Sequence, residues 1–115
     1  MLTKNLVFAL LTSTLSTSVQ ADLVVLQYHH VSDATPPSTS TSVSLFEGQL
    51  QMIEDLGLEV VPLLAGTRNA REESRKENTV ALTFDDAYES VYNTAAPMLA
   101  DRGYPYTVFV NTDAV

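Results

Sequence analysis

Asp85 and Asp86 stand side by side directly after "ALTF". Adjacent carboxylates repel, and burial raises the cost of charging each of them. Two readings fit the pair. In one, it is a strand end followed by a helix N-cap, because Asp caps helices and acidic residues suit the first helical turn. In the other, one carboxylate binds a hard or borderline cation and the second stays free as a base toward metal-bound water. Consecutive residues near a strand end point in different directions, so each can meet a different partner. A cap explains one Asp; the second, with Tyr88 close behind, is what the capping account leaves over.

His29 and His30 are the only histidines. Extended geometry sends them to opposite faces, which argues against their sharing one ion. A catalytic zinc usually takes three protein ligands. Asp86, one histidine and Asp113 make a short set. Tyr88, Tyr92, Tyr104 and Tyr106 have the chemistry to line a sugar site and equally that of packing residues. Tyr28, His29 and Tyr88 are the candidates for contact with a substrate.

The elements that must position these residues follow from periodicity. "LVVLQY" (23–28) is an apolar run of strand length, and "ATPPSTSTS" (34–42) is a loop. Ser44 and Glu47 have the spacing of a capping box. Phe46, Leu50, Ile53 and Leu56 then recur at helical spacing up to a terminating Gly57. "LEVVPL" (58–63) predicts a second strand, and the polar residues 66–78 fit a solvated helix or a loop. "TVALTF" (79–84) is apolar at nearly every position, as a strand covered on both faces should be.

Residues 89–103 predict a helix with Val91, Ala95, Met98 and Leu99 inward, kinked or broken at Pro97 and stopped by Gly103. "YTVFV" (106–110) predicts the fourth strand. Strands alternating with helical segments indicate an α/β fold with a parallel sheet or barrel. In such folds sites gather where strands end. That would bring together 28–30, Asp85-Asp86 and 111–113.

Length and composition narrow the setting. The chain has 115 residues, a net charge of −8 and no cysteine. The acidity argues against nucleic acid and anionic membrane surfaces as partners. Without cysteine there are no disulfides, so stability must come from the core or a metal. Residues 1–21 read as a signal peptide: Lys4, then an apolar stretch too short to span a bilayer, then small residues before a cleavage point at Ala21. Export to the periplasm or beyond is expected, with residues 22–115 as the mature part.

"ALTFDDAYESVYNTAAPMLADRGYPYTVFVNT" resembles the polysaccharide deacetylase family, the NodB-homology domain. The family's first motif, T-F-D-D-G, matches 83–87. Tyr92, Ala95, Pro97, Leu99, Gly103, Thr107, Phe109 and Val110 continue its pattern in register. Upstream, "YHHV" is similar to the Y-H-x-V opening of members close to poly-N-acetylglucosamine deacetylases. The resemblance implies the N-terminal half of a distorted (β/α) barrel and metal-dependent removal of N-acetyl groups from a glycan, releasing acetate. It makes Asp85 the catalytic base and Asp86 a metal ligand, with zinc the usual ion.

Two departures from the family pattern matter. Ala87 stands where the family usually has Gly, a strained choice if that position needs positive φ. The family's H-[ST]-x-x-H motif, which supplies two histidine ligands, has no counterpart before Val115. A (β/α) barrel takes about 200 residues or more, so the expectation is an incomplete domain, inactive alone, with further ligands beyond Val115. The alternatives are a non-catalytic half-domain that binds glycan or is a remnant, and a signalling receiver domain. The receiver reading is weakened because its acidic pair would follow the first strand.

Overall fold

The computed structural model describes residues 22–72 and 77–114. The signal-peptide reading of 1–21 and the middle of the polar 66–78 segment lie outside them. Four strands form one parallel sheet: β1 (Leu23–Tyr28), β4 (Glu59–Val60), β5 (Thr79–Asp85) and β6 (Thr107–Phe109). β5 is its axis. β1 pairs along one side of it, from Leu23 opposite Thr79 to Tyr28 opposite Phe84. Along the other side β4 pairs with its start, at Thr79 and Val80, and β6 with its end, at Thr83 to Asp85.

The two faces of β5 differ in kind. Val80, Leu82 and Phe84 belong to the main core, with Tyr28, Phe46, Leu50, Ile53, Val91, Ala95 and Leu99. The alternate residues Thr79, Ala81 and Thr83 are buried as well, and the row ends at the half-exposed Asp85. Burial on both faces is why the segment reads as a continuous run instead of an alternation. Phe84 anchors the core face, with Tyr28 stacked on it at 5.3 Å and Tyr106 edge-on at 5.7 Å between ring centroids.

Helix α1 (Val43–Asp55) buries Phe46, Leu50 and Ile53, as its periodicity requires. Its start differs from the expected capping box. Ser42, not Ser44, is the N-cap: its backbone is extended, and its Oγ accepts from the Leu45 N–H at 3.2 Å. Ser44 lies inside the first turn, and Glu47 instead forms an ion pair with Arg102. Leu56, expected inward, is exposed because it is already the C-cap. Gly57 (φ 63) follows, its N–H bonding the Glu54 carbonyl while that of Leu58 bonds Ile53. This is the paired closure that a left-handed glycine permits.

The predicted strand 58–63 shrinks to β4. Pro62 stands at the N-cap of α2 (Leu63–Asn69), where a missing N–H costs nothing. The residues before Pro97 form a π-helical turn, Val91–Ala95, that runs into α3 (Ala96–Arg102). Pro97 has no N–H, and its ring crowds the carbonyl four residues back. A wider turn one step upstream accommodates both, and Ala96 N–H reaches Val91 O. Gly103 (φ 64) ends α3 as Gly57 ends α1.

The 34–42 loop is also more ordered than its composition suggests. Its end, β3 (Ser40–Thr41), pairs in parallel with β2 (His30–Val31) as a separate two-stranded ribbon. No helix among the described residues is long and apolar enough to cross a membrane.

Candidate active site

Because β1, β5 and β6 are parallel neighbours, their C-terminal ends lie side by side. Gln27 pairs in register with Thr83, two residues before Asp85. Strand alternation therefore sends Gln27, His29 and Asp85 toward one face and Tyr28 and Phe84 to the other. The Gln27 side-chain amide donates to Asp85 Oδ2, and His29 Nε2 lies 3.6 Å from the same oxygen. Asp85 is partly shielded, its side chain 26% exposed, while His29 is 39% exposed. The Asp85 carboxylate thus sits at a half-open rim with a neutral donor on one side and an imidazole nearby.

Asp86 leaves the strand sharply. Its φ is 68° and that of Ala87 is 52°, two consecutive residues in the left-handed region. Asp tolerates that region better than most residues; Ala does not. The Asp86 N–H is held by the Phe109 carbonyl of β6 at 2.9 Å. The backbone therefore turns out of the strand direction between Asp85 and Ala87. It also answers the question posed by Ala87: the position does adopt positive φ, and the methyl group is strained there.

Tyr28 is placed differently from its expected part in substrate contact. It is 6% exposed, packed on Phe84 and Phe46, and its hydroxyl donates to Gln49 Oε1 at 2.7 Å. Burial pushes that hydroxyl up to about 12. Alternation along β1 makes Tyr28 a core residue, while Gln27, one step earlier, reaches the site. Gln27 escaped the sequence reading, although its two-residue spacing from His29 was the available signal.

Tyr88 stands at the rim, 36% exposed, with the His30 ring stacked on it at 3.7 Å between centroids and 22° between planes. The two histidines diverge as their spacing predicts: His29 goes to Asp85 and His30 to Tyr88. Asp113 lies in a short 3₁₀ turn, Thr112–Ala114, and its N–H bonds Asn111 Oδ1. No group of three or more His, Cys, Asp or Glu side chains among the described residues is arranged to hold a metal ion. Asp86 offers one carboxylate ligand and not a complete set. Beyond the turn, a cavity of about 150 Å³ is lined by Ala87, Tyr88, Val91, Tyr92, Tyr106 and Val108.

Comparison with known proteins bears on the fold and the family likeness. Residues 72–115 match the model of the family described as polysaccharide deacetylase. YxkH of Bacillus subtilis (strain 168), a polysaccharide deacetylase by name, is 29% identical over 97 residues, covering 84% of this chain and 34% of that protein. IcaB from Ammonifex degensii superposes with a TM-score of 0.66 at 32% identity, over 76% of this chain and 37% of that one. The Streptococcus pyogenes deacetylase PplD, solved in complex with acetate, gives 0.64 at 29% identity, over 76% and 42%. The chain thus spans about a third of the length of the curated relative it matches. Sequence and structure point the same way: residues 72–115 match the polysaccharide deacetylase family model, and the fold is similar to that of solved deacetylases.

Proposed function

We propose that the domain to which these residues belong removes N-acetyl groups from an N-acetylglucosamine polymer, with Asp85 as the base and Asp86 as one ligand of a divalent cation, zinc in the first instance. The observation that carries this reading is the turn at 85–87. It leaves the Asp85 carboxylate beside Gln27 and His29, while the backbone of Asp86 already departs from the strand in the left-handed region.

A cation held in part by Asp86 supplies, when bound, polarisation of an amide carbonyl and a more acidic water. Asp85 accepts the proton of the attacking water. Gln27 fixes the carboxylate's orientation through its N–H, so the acceptor oxygen does not have to be found by rotation. The new C–O bond forms at the acetyl carbon, the C–N bond breaks, and the proton passes to the departing nitrogen. The products are acetate and a free amine on the sugar. PplD, named a deacetylase and solved with acetate, supports acetate as the acyl product. Tyr88 and His29, at the rim, are the side chains placed to touch the sugar. Export to the periplasm or the exterior, where such polymers lie, belongs to the same proposal.

The test is acetate release from N-acetylglucosamine oligomers by the whole domain. Asp85→Asn keeps the shape and removes the base, so kcat should fall at least 100-fold, the scale of general-base catalysis. An unchanged kcat overturns the assignment. A domain that binds the oligomers and releases no acetate would instead be a non-catalytic glycan-binding module.

A further inference from the structure

The turn at Asp86 and Ala87 needs outside support. Two successive non-glycine residues in the left-handed region persist only where the surroundings over-determine them. Three contacts flank this turn. One is the Asp86 N–H on the Phe109 carbonyl. The other two both come from β2: the His30 ring lies flat on Tyr88, and the Val31 N–H donates to Ser90 Oγ at 3.2 Å.

β2 is built to hold still. It takes no part in the main sheet and pairs only with β3. The His30 N–H bonds Thr39 O at 3.1 Å, and the Ser32 N–H bonds Thr41 O at 3.0 Å. Within the connecting loop, Ser40 Oγ donates to the Pro36 carbonyl at 2.7 Å and lies 2.6 Å from Thr35 Oγ1. Val31 is fully buried and anchors the ribbon in the core. A two-residue ribbon adds little to the core. Its half-buried end at His30 nonetheless meets the segment that follows the two carboxylates.

We propose that the β2–β3 ribbon is a bracket for the 86–90 segment and that His30 is a positioning residue. Through its stack on Tyr88 it fixes the backbone that aims Asp85 and Asp86. The relevance of this to catalysis rests on the deacetylase reading; the bracket itself does not.

Amide hydrogen exchange on the full chain, resolved by residue, tests it. The reporters are the Asp86 amide, bonded to Phe109, and the Val91 amide, bonded to Tyr88. The reference is Leu82, buried in the middle of β5. His30→Ala should speed exchange at Asp86 and Val91 at least fivefold while Leu82 keeps its rate. His30→Phe, which retains a flat ring, should restore both. Tyr88→Leu should reproduce the effect, and combining it with His30→Ala should add nothing. Unchanged Asp86 and Val91 rates in His30→Ala overturn the proposal. So does a Leu82 rate that rises by the same factor, the mark of general destabilisation, or a failure of Phe to restore. Acetate release plays no part in this readout, so its result and that of the deacetylase test are independent.

Discussion

Ala87 places a methyl group in a backbone conformation that glycine enters freely. A left-handed L-residue costs roughly 1–2 kcal/mol, and the greater freedom of glycine in the unfolded chain returns part of that. Ala87→Gly should therefore raise stability by up to about 1 kcal/mol in denaturant titration, without moving the carboxylates. Tyr28 makes a second residue-scale prediction. Its folded-state value of about 12 lies above the ordinary 10, so the neutral form is the one the fold favours. The stability it lends is intact below pH 10 and is lost as pH rises toward about 12. The denaturation midpoint should fall across that window, and Tyr28→Phe should remove this component of the fall.

At this scale the sequence showed much of the site. The Asp pair, its strand end and the divergence of His29 from His30 all follow from local spacing. Gln27 and Tyr28 did not, because which side of β1 meets Asp85 depends on a pairing partner more than 50 residues away.

Elements were legible where one face is buried and blurred where chemistry at their ends competes. Helix α1 was recognisable from Phe46, Leu50 and Ile53, yet five consecutive serines and threonines (38–42) precede it and only the chain's path selects Ser42 as the cap. Ser42→Ala should cost about 1 kcal/mol, the usual worth of such a cap, and Ser44→Ala a few tenths at most. Equal effects in thermal melts would contradict the cap assignment. The strand expected at 58–63 was cut short by Pro62, and the kink expected at Pro97 took the form of a π-helical turn ahead of it.

Arg102 ties α3 to α1 through Glu47, with Glu54 3.8 Å away. Both carboxylates are well exposed, so the pair is screened. The arginine side chain is only 16% exposed, so its loss removes buried surface as well as charge. Arg102→Ala should lower stability by about 1 kcal/mol, and added salt should diminish the effect only in part.

For the molecule as a whole, the parallel α/β order was visible in the alternation of strand and helix, while the ribbon of β2 and β3 was hidden in a Pro/Ser/Thr stretch. Phe109 at the end of β6 and Val110 just after it are both exposed. An uncovered apolar patch at a sheet edge promotes association. Phe109→Lys should shift the concentration at which the chain self-associates in sedimentation experiments upward, and should leave the β5 amides protected.

Every ladder of the main sheet runs through β5, and its bonds to β1 join residues as far apart as Leu23 and Thr79. Until β5 leaves the ribosome, β1 and β4 have no partner in that sheet. Closing so long a loop is slow, and it gives no return in contacts before the last strands arrive. The nascent polypeptide should thus stay largely extended until its third apolar stretch emerges, then assemble in one late step.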